Sequence, residues 1–277
     1  MKLYSGFYLM VMELKKILFL FFIPVNACTH NAFTGKKQLS VYPESEMQIM
    51  ASEQYKQFLD AHKVIAPQES LDAVMVQQVG ERIKNAVIAY YTKRGLAKQF
   101  SGYQWEYHLI DSKEVNAWCM PGGKIAVYSG LLFFTKDESG LAIVLGHQIA
   151  HTLAKHGNER MNQSMVQQLG GIALSVAQAS QPAETQGLFM NAYGVESDAG
   201  SIIPFSRNQE WEADSLSLQF AMLAGYDPHG AISLWEGMKK ASGKKRIMEI
   251  ISIHPVDGKR IENLERDIEQ VEKQHPE

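Results

Sequence analysis

The sequence contains few cysteines and has a small net charge. Its 277 residues include 2 cysteines, and the formal net charge is −3. Secreted domains that depend on disulfides carry more cysteine than this, although a bridge between Cys28 and Cys119 stays open. The weak charge argues against nucleic acid as a partner, because proteins that bind it present a strongly basic face. The apolar run near the N-terminus is too short to cross a bilayer as a mature helix.

The N-terminal segment has the composition of a secretory signal peptide. Lys15 and Lys16 precede an apolar run over residues 17–25, and the small residue Ala27 closes the segment. A charged region, a short apolar region and a small residue at the processing site are the three parts of such a signal. We therefore predict that the protein is exported and that residues 1–27 are removed.

Cys28 follows the predicted cleavage point directly and indicates a lipoprotein. Acylation of its thiol would anchor the mature protein at the periplasmic face of a bacterial membrane. Ordinary secretion with an incidental cysteine is the alternative. Residues 28–45 are polar and turn-rich, as a tether between anchor and domain is, and residues 46–277 have the composition of one globular domain. Met1 and Met12 are both candidate start residues.

The pattern of apolar residues predicts a mainly helical domain with a small sheet. Helical spacing runs through most of the domain, and short alternating runs mark the strands. Together these elements indicate an α+β fold that is predominantly helical. The predicted strands are 103–110, 115–120 and 124–129, and the predicted helices include 46–62, 67–91, 159–178, 207–223, 228–241 and 258–273.

The most informative motif is the stretch His147-Gln148-Ile149-Ala150-His151. Two histidines four residues apart lie on one face of a helix and can share a Zn²⁺ ion, as in the H-E-x-x-H motif of zinc proteases. In that motif the glutamate is the general base that activates water. Gln148 stands at its position and cannot accept a proton. The helix is predicted to begin with a capping box over residues 135–138.

A second stretch, Glu210-Trp211-Glu212-Ala213-Asp214, supplies further metal-site chemistry. A pair of histidines is weak evidence alone, and a third ligand in helical context strengthens it. Glu210 can complete a site of three protein ligands with an open fourth position. Asp214 lies one turn further along the same face and is placed to accept an N–H from a ligand histidine. An exposed acidic helix with ordinary salt bridges is the alternative.

Several stretches of the chain match, in the same order, the sequence pattern of one enzyme family. They are residues 34–39, 115–117, 121–123, 129–132, 145–151 with His156, 206–207 with Glu210 and Asp214, 224–228, 254–255 and 260–261. On these residues the chain resembles the HtpX-like zinc metallopeptidases, which include the CAAX prenyl endopeptidases, and most closely their periplasmic lipoprotein members. The resemblance covers nearly the whole mature chain. It implies a zincin-like α+β domain with a small antiparallel sheet.

The resemblance also implies roles for individual residues. His147, His151 and Glu210 are implied as ligands of one Zn²⁺ ion per chain, with Asp214 behind a ligand histidine and Gln148 at the position of the general base. Family members bind peptide along an exposed strand edge, which agrees with pairing of an extended substrate to an open sheet edge. That edge strand is implied to be Lys124, Ile125, Ala126, Val127, Tyr128 and Ser129.

The positions of His254 and His156 in the chain predict roles for two further histidines. His254 precedes Pro255 in a predicted loop. From there it would reach the open zinc position, stabilise the oxyanion, or make only a local hydrogen bond. His156 is predicted to lie at a helix C-terminus, close to the negative end of the helix dipole, and not to be a ligand.

The resemblance implies a zinc-dependent metalloendopeptidase of the bacterial cell envelope that acts on unfolded or misassembled proteins. Polypeptide substrates and the envelope assembly machinery are the implied partners. Because Gln148 replaces the general base, the chain is expected to lose about 10²–10⁴ in rate. Whether Gln148 is natural or engineered stays open. The alternative function is a non-catalytic, zinc-bound lipoprotein that binds extended polypeptides as a chaperone or scaffold.

Overall fold

The computed structural model describes residues 28–40, 42–169, 182–195, 205–241, 248–255 and 258–274. The predicted signal peptide lies outside this part of the chain and stays a prediction. No helix among the described residues is both long enough and apolar enough to cross a membrane.

The described residues form a predominantly helical α+β fold, which confirms the predicted class. The strands are β1 (Cys28–His30), β2 (Lys37–Leu39), β3 (Val64–Ile65), β4 (Glu106–Ile110), β5 (Ala117–Met120) and β6 (Lys124–Tyr128). The helices are α1 (Glu44–Ala61), α2 (Leu71–Thr92), α3 (Ser129–Thr135), α4 (Glu138–Leu153), α5 (His156–Leu169), α6 (Pro182–Ala192), α7 (Arg207–Leu223), α8 (Gly230–Lys240), α9 (Met248–Ile253) and α10 (Gly258–Gln274).

The described residues contain a small antiparallel sheet, β1-β2, and a larger sheet that is mixed. Its strand order is β3-β4-β6-β5, and β6 runs parallel to β4 but antiparallel to β5. β5 and β6 form the predicted hairpin, and Gly122 and Gly123 supply its turn with φ angles of 80° and 82° that favour glycine. β4 pairs with β6, which lies beyond β5 in the sequence, so no local pattern predicts that these two strands run parallel.

The central strand β6 is buried on both faces, and the two faces belong to different parts of the core. Ile125 and Val127 pack in the cluster formed with α2, α4 and α7. Ala126 and Tyr128 pack in a second cluster with α1 and α6. A strand that is covered on both faces is apolar at successive positions, as this one is.

Helix α4, which carries both histidines of the motif, lies at the centre of the fold. The predicted capping box over residues 135–138 is wrong, because Thr135 ends α3 and Asp137 is the N-cap of α4. The Asp137 side chain accepts a hydrogen bond of 2.9 Å from the backbone N–H of Gly140. Residues 140–153 are all buried, so α4 is surrounded by protein on every side.

Helices α4 and α7 approach closely because small residues line their contact. A Cβ atom on Gly146 would lie 3.2 Å from the carbonyl oxygen of Ser217, so a larger residue would push the helices apart. Ala213, Ser217 and Ala221 on α7 are fully buried. This packing sets the distance between the histidines of α4 and the acidic residues of α7.

Residues 28–39 form a docked hairpin where the sequence predicted a tether. β1 and β2 pair in antiparallel fashion along their whole length. The side-chain amides of Asn31 and Gln38 donate to the carbonyl oxygens of Leu153 and Ala154, at the C-terminal end of α4. The globular unit therefore includes residues that were assigned to the tether. The docking was not predictable because its partners are more than 100 residues away.

Candidate metal centre

Four side chains from three parts of the chain converge inside the protein. His147 and His151 lie one turn apart on α4, Glu210 lies in the first turn of α7, and His254 follows α9 directly. One ligand atom from each lies within 4.8 Å of the others. All four side chains are buried. The structure thus brings together the three predicted ligands and His254.

The spacing of these atoms fits a zinc ion. The Nε2 atoms of His147 and His151 are 2.9 Å apart. Nε2 of His151 is 3.3 Å from Oε1 of Glu210, and Nε2 of His147 is 3.6 Å from Oε2. Nδ1 of His254 lies 2.9 Å from Oε1 of Glu210 and 3.2 Å from Nε2 of His147. Tetrahedral Zn²⁺ with bonds of about 2.0–2.1 Å keeps its ligand atoms about 3.3–3.4 Å apart.

The protonation states also suit a metal, since zinc ligands must be deprotonated. Burial, together with the neighbouring His147, holds the pKa of His151 well below its usual range. Burial lowers the pKa of His254 to about 4. Burial would raise the pKa of Glu210, but His254 and Arg260 outweigh this and hold it well below the usual range. Neutral imidazoles at His151 and His254 and a carboxylate at Glu210 are therefore available at neutral pH.

The structure places Asp214 directly behind His147. Oδ1 of Asp214 is 2.9 Å from Nδ1 of His147, which leaves Nε2 to face the cluster. Burial lowers the pKa of His147, but the nearby carboxylates of Asp214 and Glu210 outweigh it and raise the pKa. A carboxylate on the outer nitrogen fixes the tautomer and the orientation of a ligand histidine.

Arg260 on α10 is a site residue to which the sequence analysis assigned no role. Its Nε and Nη2 atoms are 2.7 and 2.8 Å from the two carboxylate oxygens of Asp214. Its Nη1 atom is 2.7 Å from Oε2 of Glu210 and donates to the carbonyl oxygen of Pro255 at 3.0 Å. Arg260 therefore pairs with both buried carboxylates and holds the segment that carries His254. Its partners lie far away in sequence, so residue spacing offered no signal.

His156 begins α5, so its predicted position at a helix C-terminus is wrong. Lys155, with a φ angle of 58°, turns the chain between α4 and α5 and brings His156 back towards His151. The Nδ1 atoms of these two rings are 2.9 Å apart. Nε2 of His156 is 2.9 Å from Oε2 of Glu212, a residue for which the sequence predicted no role.

Gln148 projects into the same buried space but does not belong to the donor set. Its Nε2 atom is 3.2 Å from Nε2 of His254. The metal ligands therefore do not depend on the identity of residue 148.

The predicted substrate edge is wrong in position. Strand Lys124–Tyr128 pairs with β4 on one side and β5 on the other, and Ser129 begins α3. In the described sheet the edge next to it is β5, Ala117–Met120. By strand order β5 takes the place of β6 as the candidate, but its residues are buried and the carbonyl oxygen of Cys119 accepts a hydrogen bond of 3.0 Å from Oγ1 of Thr152, so a peptide would have to displace this cover. Cys119 in β5 is a free thiol, and burial raises its pKa to about 12.

Known proteins resemble this chain in sequence well beyond the residues of the site. The sequence profile described as peptidase family M48 matches residues 78–268, more than half of the chain. Mitochondrial metalloendopeptidase OMA1 of Schizosaccharomyces pombe is 34% identical over 166 residues, 60% of this chain and 47% of the relative. Metalloendopeptidase OMA1, mitochondrial, of Homo sapiens is 31% identical over 177 residues, 61% and 33% of the two chains. The Beta-barrel assembly-enhancing protease of Escherichia coli is 29% identical over 167 residues, 57% and 33%. The chain spans about half the length of these relatives or less.

Proposed function

Because the chain belongs to peptidase family M48, we propose that it is a zinc-dependent metalloendopeptidase whose activity is severely reduced by Gln148. The observation that carries this proposal is the buried cluster of His147, His151 and Glu210, with an amide where a base would stand. The match to the family confirms the predicted membership in a zinc metallopeptidase family.

Each residue of the cluster has its own role in peptide hydrolysis. When bound, zinc polarises the scissile carbonyl and acidifies a bound water. His147, His151 and Glu210 would hold the ion. Asp214 orients His147 through the 2.9 Å contact at Nδ1. Arg260 keeps Glu210 and Asp214 ionised inside the protein by compensating their charge.

Gln148 removes the proton transfer from this arrangement. A glutamate at this position takes the proton of the attacking water and delivers it to the leaving amine. The amide of Gln148 can orient a water but cannot take its proton. General acid–base catalysis contributes about 10²–10⁴ in rate, and this is the loss that we propose for the chain.

Of the roles considered for His254, the fourth position at the metal agrees best with the geometry. Its Nδ1 atom lies within the cluster, 3.2 Å from Nε2 of His147. A catalytic zinc site keeps its fourth position open for water or substrate. We therefore propose that His254 has to withdraw before water enters, which lowers the activity further.

A second candidate function rests on Gln148 and His254. Gln148 lacks the proton acceptor, and His254 closes the fourth position in the buried cluster. Such a site favours a zinc-bound protein that binds extended polypeptides as a chaperone or scaffold without cleaving them. The edge strand β5 is then the candidate binding element.

A paired comparison of the full chain with Gln148 and with Gln148→Glu tests the peptidase proposal. We expect about one zinc per chain in both forms, because residue 148 is not a ligand. Casein cleavage is expected to be about 10²–10⁴-fold faster in the glutamate form. Gln148→Glu combined with His151→Ala is the matched control and should neither retain zinc nor cleave.

The possible results separate the two functions. An inert Gln148→Glu form that still holds zinc would contradict the peptidase and favour the binding role. That role further requires the unsubstituted chain to slow the aggregation of an unfolded protein. Adding His254→Ala to Gln148→Glu should raise the cleavage rate if His254 closes the fourth position.

We propose the bacterial cell envelope as the place of action, and unfolded or misassembled proteins as substrates. The composition of residues 1–27 and the position of Cys28 support export and a lipid anchor. The name of the Escherichia coli relative refers to β-barrel assembly, which makes the envelope assembly machinery a candidate partner.

Labelling with radioactive palmitate tests the anchor. We expect the label in the unsubstituted chain expressed in a bacterial host and its loss in Cys28→Ser, while Cys119→Ser keeps it. An unlabelled chain that is recovered in the soluble fraction would contradict the lipoprotein and favour ordinary secretion.

A further inference from the structure

We propose that a hydrogen-bonded chain from Lys36 through Glu212 and His156 is a positioning device that holds His151 in the tautomer able to bind zinc. Among the residues that the structure describes, no carboxylate contacts the outer nitrogen of His151 directly, in contrast to His147, and a second imidazole stands there instead. The inference rests on the zinc centre of the proposed function but not on peptide cleavage.

The contacts are continuous from the protein surface to the cluster. Nζ of Lys36 is 2.8 Å from Oε2 of Glu212. The same oxygen is 2.9 Å from Nε2 of His156, and Nδ1 of His156 is 2.9 Å from Nδ1 of His151. The exposed fraction of the side chains falls along this path, from 54% for Lys36 to 16% for Glu212 and 1% for His156. Every link has the length of a hydrogen bond.

The chemistry of the groups decides the direction of each hydrogen bond. The Glu212 carboxylate only accepts, so Nε2 of His156 carries a proton. A His151 that binds zinc through Nε2 carries its proton on Nδ1, so the proton between the two rings belongs to Nδ1 of His151 and Nδ1 of His156 accepts. Nε2 of His151 is then bare, and it faces His147 and Glu210. The opposite tautomer would put a proton on the ligand atom.

The hairpin that carries Lys36 is fastened to the helix that carries the histidines. Nδ2 of Asn31 donates to the carbonyl oxygen of Leu153 at 2.8 Å, and Nε2 of Gln38 donates to that of Ala154 at 2.6 Å. The last carbonyl groups of a helix lack partners within the helix, so the hairpin caps α4. Lys36 lies between these two anchors, which fixes the outer end of the positioning chain.

Zinc affinity distinguishes a positioning chain from a salt bridge that only supports the fold. A structural pair contributes to the stability of the zinc-free protein and leaves zinc affinity unchanged. A chain that selects the tautomer of His151 acts on the metal-bound state. Removal of a group that orients a metal ligand typically weakens metal binding by about 10–100-fold.

The first test is His156→Leu in the full chain. Zinc affinity is measured by titration with Zn²⁺ against a competing chromophoric chelator, and thermal unfolding is followed in EDTA. We expect the affinity to fall by about 10–100-fold. The zinc-free variant should unfold at the temperature of the unsubstituted protein or above it, because leucine is apolar and fits a buried position. Unchanged affinity with reduced stability would overturn the proposal.

The outer links give a graded series of effects. Glu212→Leu should approach His156→Leu, whereas Glu212→Gln, which retains an accepting oxygen, should recover most of the affinity. Lys36→Met should weaken zinc binding only a few-fold. Lys56→Met is the matched control, because Lys56 forms an exposed pair with Asp60 at 2.6 Å and should have no effect. An effect of the control equal to that of Lys36→Met would overturn the role of Lys36.

Nitrogen-15 resonances of the imidazole rings report the tautomers directly. In the zinc-loaded chain we expect His156 to carry its proton on Nε2 and to have a bare Nδ1. A proton on Nδ1 of His156, alone or together with one on Nε2, would overturn the proposed direction. Absence of zinc from the unsubstituted chain would overturn the inference as well. Failure of Gln148→Glu to cleave casein would contradict only the peptidase, because none of these measurements depends on cleavage.

Discussion

The two histidines of α4 are supported in different ways. His147 contacts Asp214, and Arg260 contacts that carboxylate from the other side, all within the buried interior. Behind His151 stand a second histidine and then Glu212, whose lysine partner is half exposed. One support is short, charged and buried, and the other is longer and reaches the surface.

The two supports connect the metal centre to different parts of the fold. The support of His147 joins α4, α7 and α10, which pack against one another in the core. The support of His151 joins α4 to α7 and to the N-terminal hairpin. We therefore expect changes behind His147 to alter stability and zinc binding together. Changes behind His151 should alter zinc binding with little effect on stability.

The largest effect is expected from Arg260→Met. This change leaves the carboxylates of Asp214 and Glu210 buried without their cation, and breaking a buried pair costs about 3–5 kcal/mol. The measurement is urea unfolding in EDTA. Zinc should restore part of the loss, because the ion supplies positive charge at Glu210.

Arg266→Met on the same helix is the control, since Arg266 is exposed, and it should change stability by less than about 0.5 kcal/mol. A zinc-free Arg260→Met protein as stable as the unsubstituted one would remove the distinction between the two supports.

A smaller effect is expected from Asp214→Asn. Both carboxylate oxygens of Asp214 accept, from Arg260 and from Nδ1 of His147, and asparagine would turn an NH₂ group towards one of these donors, so zinc affinity should fall by about 10–100-fold. The chelator titration is the measurement, with Asp60→Asn on α1 as the exposed control. Unlike His156→Leu, this change should also reduce the stability of the zinc-free protein, because Arg260 loses a partner. If zinc-free Asp214→Asn is as stable as zinc-free His156→Leu, the supports of His147 and His151 do not differ in their effect on stability.

A smaller effect still is expected from Asn31→Ala. The variant loses the hydrogen bond to the carbonyl oxygen of Leu153, worth about 1 kcal/mol, and those that its Oδ1 accepts from the backbone N–H groups of Phe33 and Thr34. Thermal unfolding checks the stability, and Thr34→Ala in the same turn is the control because its hydroxyl contacts only the backbone N–H of Lys36. No loss relative to Thr34→Ala would mean that the hairpin does not support α4.

The smallest effect concerns the contact between Lys36 and Glu212. Exposed ion pairs contribute about 0–1 kcal/mol and are screened by salt. The difference in zinc affinity between the unsubstituted chain and Lys36→Met should therefore shrink as the salt concentration rises from 0.1 M to about 1 M. A difference that grows with salt would exclude an electrostatic role for Lys36.

Much of the fold and of the metal cluster was predictable from local spacing. Histidines four residues apart on a helix share a face, and the same geometry relates Glu210 to Asp214. Helical periodicity located α7 at Arg207–Leu223, the range that was predicted. The substrate edge was assigned wrongly because strand order depends on the pairing of β4 with β6, and their residues carry no local sign of it.

The class of fold, the residues that can hold zinc and the lack of a proton acceptor at Gln148 are readable from the amino-acid sequence alone. These follow from helix geometry and from side-chain chemistry, which act over a few residues. Only the tertiary structure decided that Arg260 compensates two carboxylates, that His254 enters the cluster, and that His156 stands behind His151. Such contacts depend on how helices that are distant in sequence pack and where the chain turns. The turn at Lys155, with positive φ at a residue other than glycine, has no local signature.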